Sequence, residues 1–282
     1  MTDDMRKLSA DIRIKIIRAL GAAGYGHIGG AMSIADVLGV LYGGVMRVDP
    51  KNPDWEERDR LVLSKGHSGP ALYAALALRG YFPMEWLNTI NRPGTRLPSH
   101  CDMQKTPGID MTTGSLGQGI SCAAGIALGN KMKGLDSVTY CIVGDGELQE
   151  GQVWEAVQAA AALELDRFIL FVDCNKMQLD GPVSNIVPAW DVEAQFRSFG
   201  WHALTVPGWD TESIYGAVTE VMRDSKQPSV ILLDTAKGIG CSFAEGRFNH
   251  YMDITPEMAE EAVAEIVRRL ENGTYPRGEV RE

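Results

Sequence analysis

The sequence predicts a doubly wound α/β fold, in which helices flank a mainly parallel β-sheet. Patterns typical of strands and helices alternate along the chain. The β-rich runs are almost continuously apolar, as expected where helices cover both faces of a parallel sheet. The chain has 282 residues, 45% of them hydrophobic, which is enough to bury one large core. We therefore expect residues 1–282 to form a single domain that ends in a helix.

Hydrophobic periodicity places the elements in order. Apolar residues recur at helical spacing in seven segments, which predict helices at 5–20, 34–42, 71–79, 116–132, 152–164, 212–223 and 257–270. Four compact apolar runs predict strands at 61–64, 138–143, 168–172 and 230–234.

Local signals refine the ends of these elements. Ser33 and Asp36 predict a capping box before the second helix. A cap, a first-turn proline and an acid at 255–257 predict the start of the last helix, which should end near Gly273. The run from 91 to 114 is rich in Gly, Pro and Asn and predicts a long loop, a kind of segment that is often functional.

Composition excludes several function classes. The net charge is -10 and the pI is about 5.1, so we expect neither nucleic acid nor an anionic membrane as a partner. We find no signal-peptide pattern and no apolar stretch of about 18 residues, and therefore expect no membrane span. The five cysteines are odd in number and lack a C-x-x-C pair, which predicts reduced thiols without a disulfide or zinc. We expect a cytoplasmic protein.

Oxygen-bearing side chains follow two of the predicted strands. Asp145, in GDGELQEG, comes after the run VTYCIV, and Asn175 ends RFILFVDCN. Ligands gather at the carboxyl ends of parallel strands, and thirty residues fit one β–α–β unit, so the two side chains should lie side by side. A carboxylate, an amide oxygen and a nearby carbonyl suit Mg²⁺ or Ca²⁺. Gly144 and Gly146 would let a diphosphate approach the backbone. Gly-Asp-Gly alone is more often a turn, but the paired strand contexts favour the metal site.

Histidines supply a second candidate set. Four of the five occur in glycine-rich or loop contexts: His27, His67, His100 and His250. Imidazole suits proton transfer because its pKa lies near neutrality, although any one histidine alone is more often structural. His202, beside a short β run, is interpreted as structural. The tryptophans that follow element ends are expected to pack rather than to bind a ligand: Trp154, Trp190, Trp201 and Trp209.

Several separated motifs occur in a fixed order: GHIGGAMS (26–33), LVLSKGHSGPALYA (61–74), GSLGQGI (114–120), GDGELQEGQVWEA (144–156), VDCNKMQLDG (172–181) and TAKGIG (235–240), with His250 downstream. In these motifs the chain resembles the thiamine-diphosphate enzymes and, among them, the transketolases. The resemblance covers residues 10 to 252. One motif would be weak evidence, but all of them in order are specific.

The resemblance implies roles for individual residues. Side chains of Asp145 and Asn175 and the carbonyl of Met177 would bind the metal. His67 and His250 would lie against the diphosphate, and His27 and His100 would face the hydroxyls of the donor sugar. The other residues implied at the cofactor are Lys65, Gly114, Ser115, Leu116, Gly144, Gly146, Glu147 and Lys237. Glu150 and Glu155 resemble acidic residues near the subunit interface, close to the cofactor's pyrimidine, and with the four histidines they complete the expected catalytic set.

The implied activity is the transfer of a two-carbon ketol unit from a ketose to an aldose phosphate, with thiamine diphosphate and Mg²⁺ or Ca²⁺. The resemblance covers only the diphosphate-binding domain. We therefore expect the pyrimidine-binding and C-terminal domains on a second polypeptide, in an α₂β₂ heterotetramer. Ile28 and the residues around His100 depart from the family pattern. This favours an unusual donor, such as a branched or a sulfonated ketose.

Two alternatives stay open at this point. The first is another thiamine-diphosphate enzyme, either a 2-oxo acid dehydrogenase component or a deoxyxylulose-phosphate synthase. The second is a non-catalytic binding protein with the same fold. The four histidines and LSKGHSGPALYA favour transketolase over the first, and the intact metal and histidine residues argue against the second.

Overall fold

The computed structural model describes residues 1–188, 190–224 and 226–276. Its strands are β1 (Tyr25–Gly26), β2 (Arg60–Leu63), β3 (Thr139–Gly144), β4 (Phe168–Cys174), β5 (Met177–Gln178), β6 (Gly181–Pro182), β7 (His202–Pro207), β8 (Ser229–Asp234) and β9 (Met252–Asp253). Its α-helices are α1 (Thr2–Ala23), α2 (Gly29–Met32), α3 (Ala35–Val40), α4 (Gly69–Leu78), α5 (Gln118–Lys133), α6 (Gly151–Ala162), α7 (Val183–Ile186), α8 (Val192–Ser198), α9 (Thr211–Asp224) and α10 (Pro256–Glu271). Shorter helical turns lie at Leu41–Val45, Gly66–Ser68, Met84–Thr89 and Gly146–Gln149.

The central sheet has five strands in the order β2-β3-β4-β8-β7, and every neighbouring pair is parallel. Gly144 at the end of β3 lies opposite Asp173 of β4, and Cys174 lies opposite Asp234 of β8. The carboxyl ends of these strands therefore meet at one edge. The predicted α/β fold with a parallel sheet is confirmed.

Alternate side chains of the sheet enter two different cores. Tyr140 and Ile142 of β3 belong to a core that also contains buried residues of α1, α3, α4, α9 and α10. Cys141 and Val143 belong to a second core, with residues of α5, α6 and α8. Because helices cover both faces, strands β3, β4 and β8 are buried and apolar over most of their length, as the sequence predicted. Polar functional groups are therefore expected at the edge of the sheet formed by the carboxyl ends of the strands.

All seven predicted helices and all four predicted strands are present, with ends displaced by at most three residues. Thr255 caps α10 by accepting a hydrogen bond from the Met258 N–H at 3.3 Å. Gly273, just beyond α10, has a φ of 69°. The segment 91–114 contains neither an α-helix nor a strand and is the expected long loop. Helix α8 was not predicted, because seven residues are too few for a clear periodicity.

The predicted capping box at Ser33 and Asp36 is wrong. Helix α3 begins at Ala35, and its start has no side-chain cap. The Ser33 hydroxyl instead donates to Asp173 at 2.7 Å, and Asp36 pairs with Arg13 at 2.5 Å. Arg13 and Asp36 are both fully buried, and a buried guanidinium requires a carboxylate partner. Tertiary charge pairing has therefore overridden the local helix signal.

Two further observations concern the composition. All five cysteines are free thiols. Among the described residues, no helix is long and apolar enough to cross a membrane.

The buried Arg13–Asp36 pair gives a stability prediction. Asp36→Asn should lower the free energy of unfolding by about 3–5 kcal/mol, because it leaves a buried guanidinium without its countercharge. Urea denaturation of the full chain measures this change. Asp54→Asn removes an exposed carboxylate and should stay within about 0.5 kcal/mol of the parent. Equal stability of the two variants would contradict the role given to the pair.

Candidate active site

Asp173, near the end of β4, joins three segments at the carboxyl edge of the sheet. One of its carboxylate oxygens accepts from Ser33 Oγ at 2.7 Å, from Lys65 Nζ at 2.5 Å and from Asn175 Nδ2 at 2.7 Å. Lys65 Nζ also donates to the Gly30 carbonyl at 2.8 Å. Asp173 and Lys65 are 0% and 1% exposed, so their charges are compensated inside the protein. The sequence analysis did not single out Asp173, although a carboxylate inside an otherwise apolar strand is a signal for such a role.

The three residues expected to bind a metal lie around one turn. Asp145 accepts hydrogen bonds from the main-chain N–H groups of Gly146 at 2.8 Å and Lys176 at 2.5 Å. Lys176 lies between Asn175 and Met177 and has a φ of 69°, which turns the chain back toward Asp145. Asn175 Oδ1 accepts from the Met177 N–H at 3.1 Å. The turn therefore brings a carboxylate, an amide oxygen and a main-chain carbonyl together.

This donor set fits a divalent cation. Asp145 is 8% exposed, and burial together with the nearby Asp173 charge raises its pKa to about 7. Among the described residues, its oxygens accept hydrogen bonds from main-chain N–H groups and form no side-chain ion pair. A bound cation would favour the ionised carboxylate. Hard oxygen donors of this kind suit Mg²⁺ or Ca²⁺. Asp145, Asn175 and the Met177 carbonyl are the groups that would hold the ion.

The four predicted histidines form one cluster beside this turn. The His27 ring lies 5.8 Å from His67, 5.5 Å from His100 and 5.3 Å from His250, measured between centroids. The His67 and His250 rings are 4.8 Å apart. His250 Nδ1 lies 3.1 Å from Lys237 Nζ, which in turn donates to the Met177 carbonyl at 3.4 Å. Histidines from four distant segments thus adjoin the turn at residues 175–177 through Lys237.

The histidines of the cluster are held neutral. Burial, reinforced by His100 and Lys237, lowers the pKa of His27 to about 4. Burial and Lys237 lower the pKa of His250 to about 4, and burial and Lys65 lower the pKa of His67 well below its ordinary value. The pKa of His100 is also lowered by burial. A neutral imidazole has one nitrogen that accepts a proton and one that donates, so the cluster suits proton transfer with hydroxyl groups.

Glycines pack the loops of the site together. A Cβ on Gly114 would lie 3.2 Å from the His100 ring, and one on Gly66 would lie 2.8 Å from the Gly114 nitrogen. A Cβ on Gly146 would lie 2.8 Å from Gln178, whereas one on Gly144 would make an ordinary contact with Lys65 at 3.7 Å. The loop that precedes α5 is therefore fixed against His100. Beyond Gly114, Ser115 is exposed and Leu116 is half-buried.

The predicted glutamates are placed differently from one another. Glu147 is 2% exposed, and its oxygens accept from Ser64 Oγ at 2.5 Å and from the N–H groups of Gly117 and Gly144 at 2.8 and 3.1 Å. It therefore holds the loops at Ser64, Gly117 and Gly144 together from the protein interior. Glu150 and Glu155, at the start of α6, are exposed. Their role at a subunit interface stays a prediction.

The structure also shows where His202 and the residues near the predicted rim of the site lie. His202 begins β7, at the opposite edge of the sheet from the histidine cluster, which agrees with a structural role. Ile28 and Cys101 are 0% and 1% exposed, so they do not themselves form the rim of the site. The rim next to His27 contains Tyr251, whose ring lies 4.9 Å from the imidazole. Its position after His250 in the sequence was the available signal for it.

The tryptophan prediction is partly wrong. Trp201 is 2% exposed and Trp154 packs against Phe196, as expected. Trp190 is 79% exposed, and it lines an apolar groove of about 430 Å³ that reaches Asp145. Trp190 belongs to neither of the two cores, so its indole is not buried.

The fold is that of a thiamine-diphosphate-binding domain. Residues 5–271 match the family model described as "Transketolase, thiamine diphosphate binding domain". The chain belongs to the transketolase family, and the predicted cofactor class is confirmed.

Similar proteins agree with this assignment. The 6-deoxy-6-sulfo-D-fructose transketolase subunit SqwG of Clostridium sp. (strain MSTE9) is 53% identical over 93% of this chain and 96% of its own length. An apulose-4-phosphate transketolase subunit of Phocaeicola vulgatus is 35% identical over 92% of each chain. The transketolase structure from Leishmania mexicana superposes with a TM-score of 0.87 at 31% identity, over 97% of this chain and 42% of that one. These likenesses agree with the N-terminal subunit of a split transketolase.

The raised pKa of Asp145 gives a pH-dependent prediction. A carboxyl group whose folded-state pKa lies above its unfolded value makes the fold less stable as pH rises between the two values. Asp145→Asn should therefore raise the melting temperature of the metal-free chain at pH 8 by about 2 °C or more, with a much smaller gain at pH 4. Thermal unfolding in EDTA measures both values. A variant less stable than the parent at pH 8 would contradict the assignment.

Proposed function

We propose that this chain is the thiamine-diphosphate-binding subunit of a split transketolase that transfers a two-carbon unit from a modified ketose to an aldose phosphate. The observation that carries the proposal is the cluster of four neutral histidines next to the Asp145 turn. Thiamine diphosphate, when bound, supplies the electron sink for cleavage of the C2–C3 bond of a ketose. The chain itself supplies the groups that hold the cofactor and move protons.

Individual residues divide this work. Asp145, Asn175 and the Met177 carbonyl would hold Mg²⁺, the preferred ion for a diphosphate site with few protein ligands. Lys237 and His250, which contact each other, would donate hydrogen bonds to the diphosphate, with His67 beside them. Lys65 contributes by neutralising Asp173. His27 and His100 face the donor, where a neutral imidazole accepts the proton of a sugar hydroxyl.

A partner protein completes the site. Of the thirteen exposed large apolar side chains among the described residues, seven lie in β1 and in the segments that follow β4 and β8: Tyr25, Leu179, Ile186, Val187, Trp190, Phe248 and Tyr251. An apolar rim around a polar site is typical of a surface that another protein covers. This chain matches 42% of a whole transketolase, and the remaining domains would come from the partner. We extend the proposal to an α₂β₂ assembly in the reducing cytoplasm, where the free cysteines are stable.

The donor is proposed to be a sulfonated ketose. The relative at 53% identity is named for 6-deoxy-6-sulfo-D-fructose, whereas the apulose-4-phosphate relative is 35% identical. In this proposal the histidines of this chain would face the two-carbon ketol end of the donor, which every donor of such a transfer shares. Groups that bind the sulfonate are assigned to the partner.

The alternatives receive less support. The relatives named above are transketolases or their subunits, which favours ketol transfer over 2-oxo acid or deoxyxylulose-phosphate chemistry. A binding protein without catalysis would not need four neutral histidines beside a metal turn.

Reconstitution tests the proposal. The chain is co-expressed with the candidate partner encoded beside it and assayed with thiamine diphosphate, Mg²⁺, an aldose phosphate and a panel of donors. We expect transfer from 6-deoxy-6-sulfo-D-fructose by the complex and none by either chain alone. Turnover of pyruvate instead, or full activity without the partner, would overturn the proposal.

His100 provides a mutational prediction. His100→Ala should lower kcat/KM for the ketose donor by about 10²- to 10⁴-fold, because the variant lacks an imidazole that handles the hydroxyl proton. The affinity for thiamine diphosphate, measured by calorimetry, should change little. His202→Ala is the matched control and should keep the parent activity, because this histidine lies at the opposite edge of the sheet. Unchanged donor kinetics in the His100 variant would remove this residue from the substrate site.

A further inference from the structure

Strands β1 and β9 form a two-stranded antiparallel ladder that carries one side of the histidine cluster. Tyr25 lies opposite Asp253, and Gly26 lies opposite Met252. The next step of this register brings His27 beside Tyr251, and their rings meet edge to face at 4.9 Å and 76°. The ladder therefore places the Tyr251 ring against the His27 imidazole, although the two residues lie near opposite ends of the sequence.

A second tyrosine supports this ring. The Tyr25 and Tyr251 rings lie 5.7 Å apart with an angle of 37° between their planes. Gly26 separates Tyr25 from His27, and a Cβ there would lie 2.6 Å from Leu20. The local backbone is thus packed closely against α1, which leaves His27 little freedom to shift as a whole.

Tyr251 contributes little to the core of the protein. It is 45% exposed and Tyr25 is 38% exposed, and neither belongs to the two cores. Of the described ring contacts of Tyr251, one is with Tyr25 and the other is with His27. An exposed aromatic ring at the rim of a site is better explained by a role in function than by a role in core packing.

We infer that Tyr251 is a positioning residue for His27: its ring fixes the imidazole toward His67 and His100 and shields it from water. The substrate side of this inference rests on the proposed function, in which His27 faces the ketose. Loss of the ring would let the imidazole rotate away from the other histidines, while Phe in place of Tyr would keep the contact.

The Tyr251 ring also affects the titration of His27. The groups that face this imidazole are His67, His100, His250, Lys237 and Tyr251. Burial is the main cause of its lowered pKa, followed by His100 and Lys237. Removing the Tyr251 ring exposes the imidazole to water and leaves the neighbouring groups in place. The pKa of His27 should then rise toward the ordinary value.

Histidine NMR of the full chain tests the positioning without any enzymatic activity. The ring signal of His27 is assigned by its loss in His27→Asn and followed from about pH 3 to 8, a range that includes its lowered pKa. In Tyr251→Ala the pKa of His27 should rise by at least about 1 pH unit, and in Tyr251→Phe it should match the parent. Equal titration of His27 in Tyr251→Ala and the parent would overturn the inference.

Kinetics of the assembled complex test the substrate side. Tyr251→Ala should lower kcat/KM for the ketose by about 10- to 100-fold and move the acid limb of its pH profile upward, and Tyr251→Phe should restore both. Leu163→Ala, which changes an exposed side chain beyond α6, should match the parent. A complex of the parent that transfers no ketol unit would refute the proposed function, while the NMR titration would still decide the positioning. Parent-like kinetics in Tyr251→Ala would overturn the catalytic part of the inference.

Discussion

The buried carboxylate of Asp173 is the constraint on which the site depends. It accepts hydrogen bonds from Ser33, Lys65 and Asn175, which belong to three separate segments. A buried carboxylate must be compensated, and Lys65 is drawn into the interior for that purpose. Lys65 in turn fixes the Gly30 carbonyl, so the loops after β1, β2 and β4 keep one relative position. The turn at residues 175–177 and the histidine cluster are both built on these loops.

Electrostatics then divides the site into two parts. Around the turn at 175–177, Asp145 is a buried carboxylate whose raised pKa indicates a site suited to a cation. Around His27, burial and nearby lysines keep the imidazoles neutral. Lys237 links the parts, since it contacts both His250 and the Met177 carbonyl. This division suits two ligands. One is an anionic diphosphate bound through a divalent cation, and the other is a sugar that reacts beside neutral bases.

The sequence predicted what depends on local pattern and strand order. The alternation of elements indicated the parallel sheet, and the thirty-residue spacing placed Asp145 beside Asn175, because β3 and β4 are neighbours. Tertiary contacts decided the rest. Ser33 and Asp36 matched a helix-capping pattern, but Ser33 donates to the buried Asp173 and Asp36 pairs with the buried Arg13. Trp190 was expected to pack but is exposed. The placement of Tyr251 on His27 depends on the pairing of β1 with β9, which no local pattern encodes.

The most direct test of this account is the affinity of the full chain, co-expressed with its partner, for thiamine diphosphate and Mg²⁺ after Asp173→Asn. Asp234→Asn is the matched control, because this carboxylate ends the neighbouring strand but pairs with Lys176 at the surface. Calorimetry should show an affinity about 10- to 100-fold lower for Asp173→Asn and unchanged for Asp234→Asn. Parent-like affinity in Asp173→Asn would contradict the claim that this buried carboxylate organises the site.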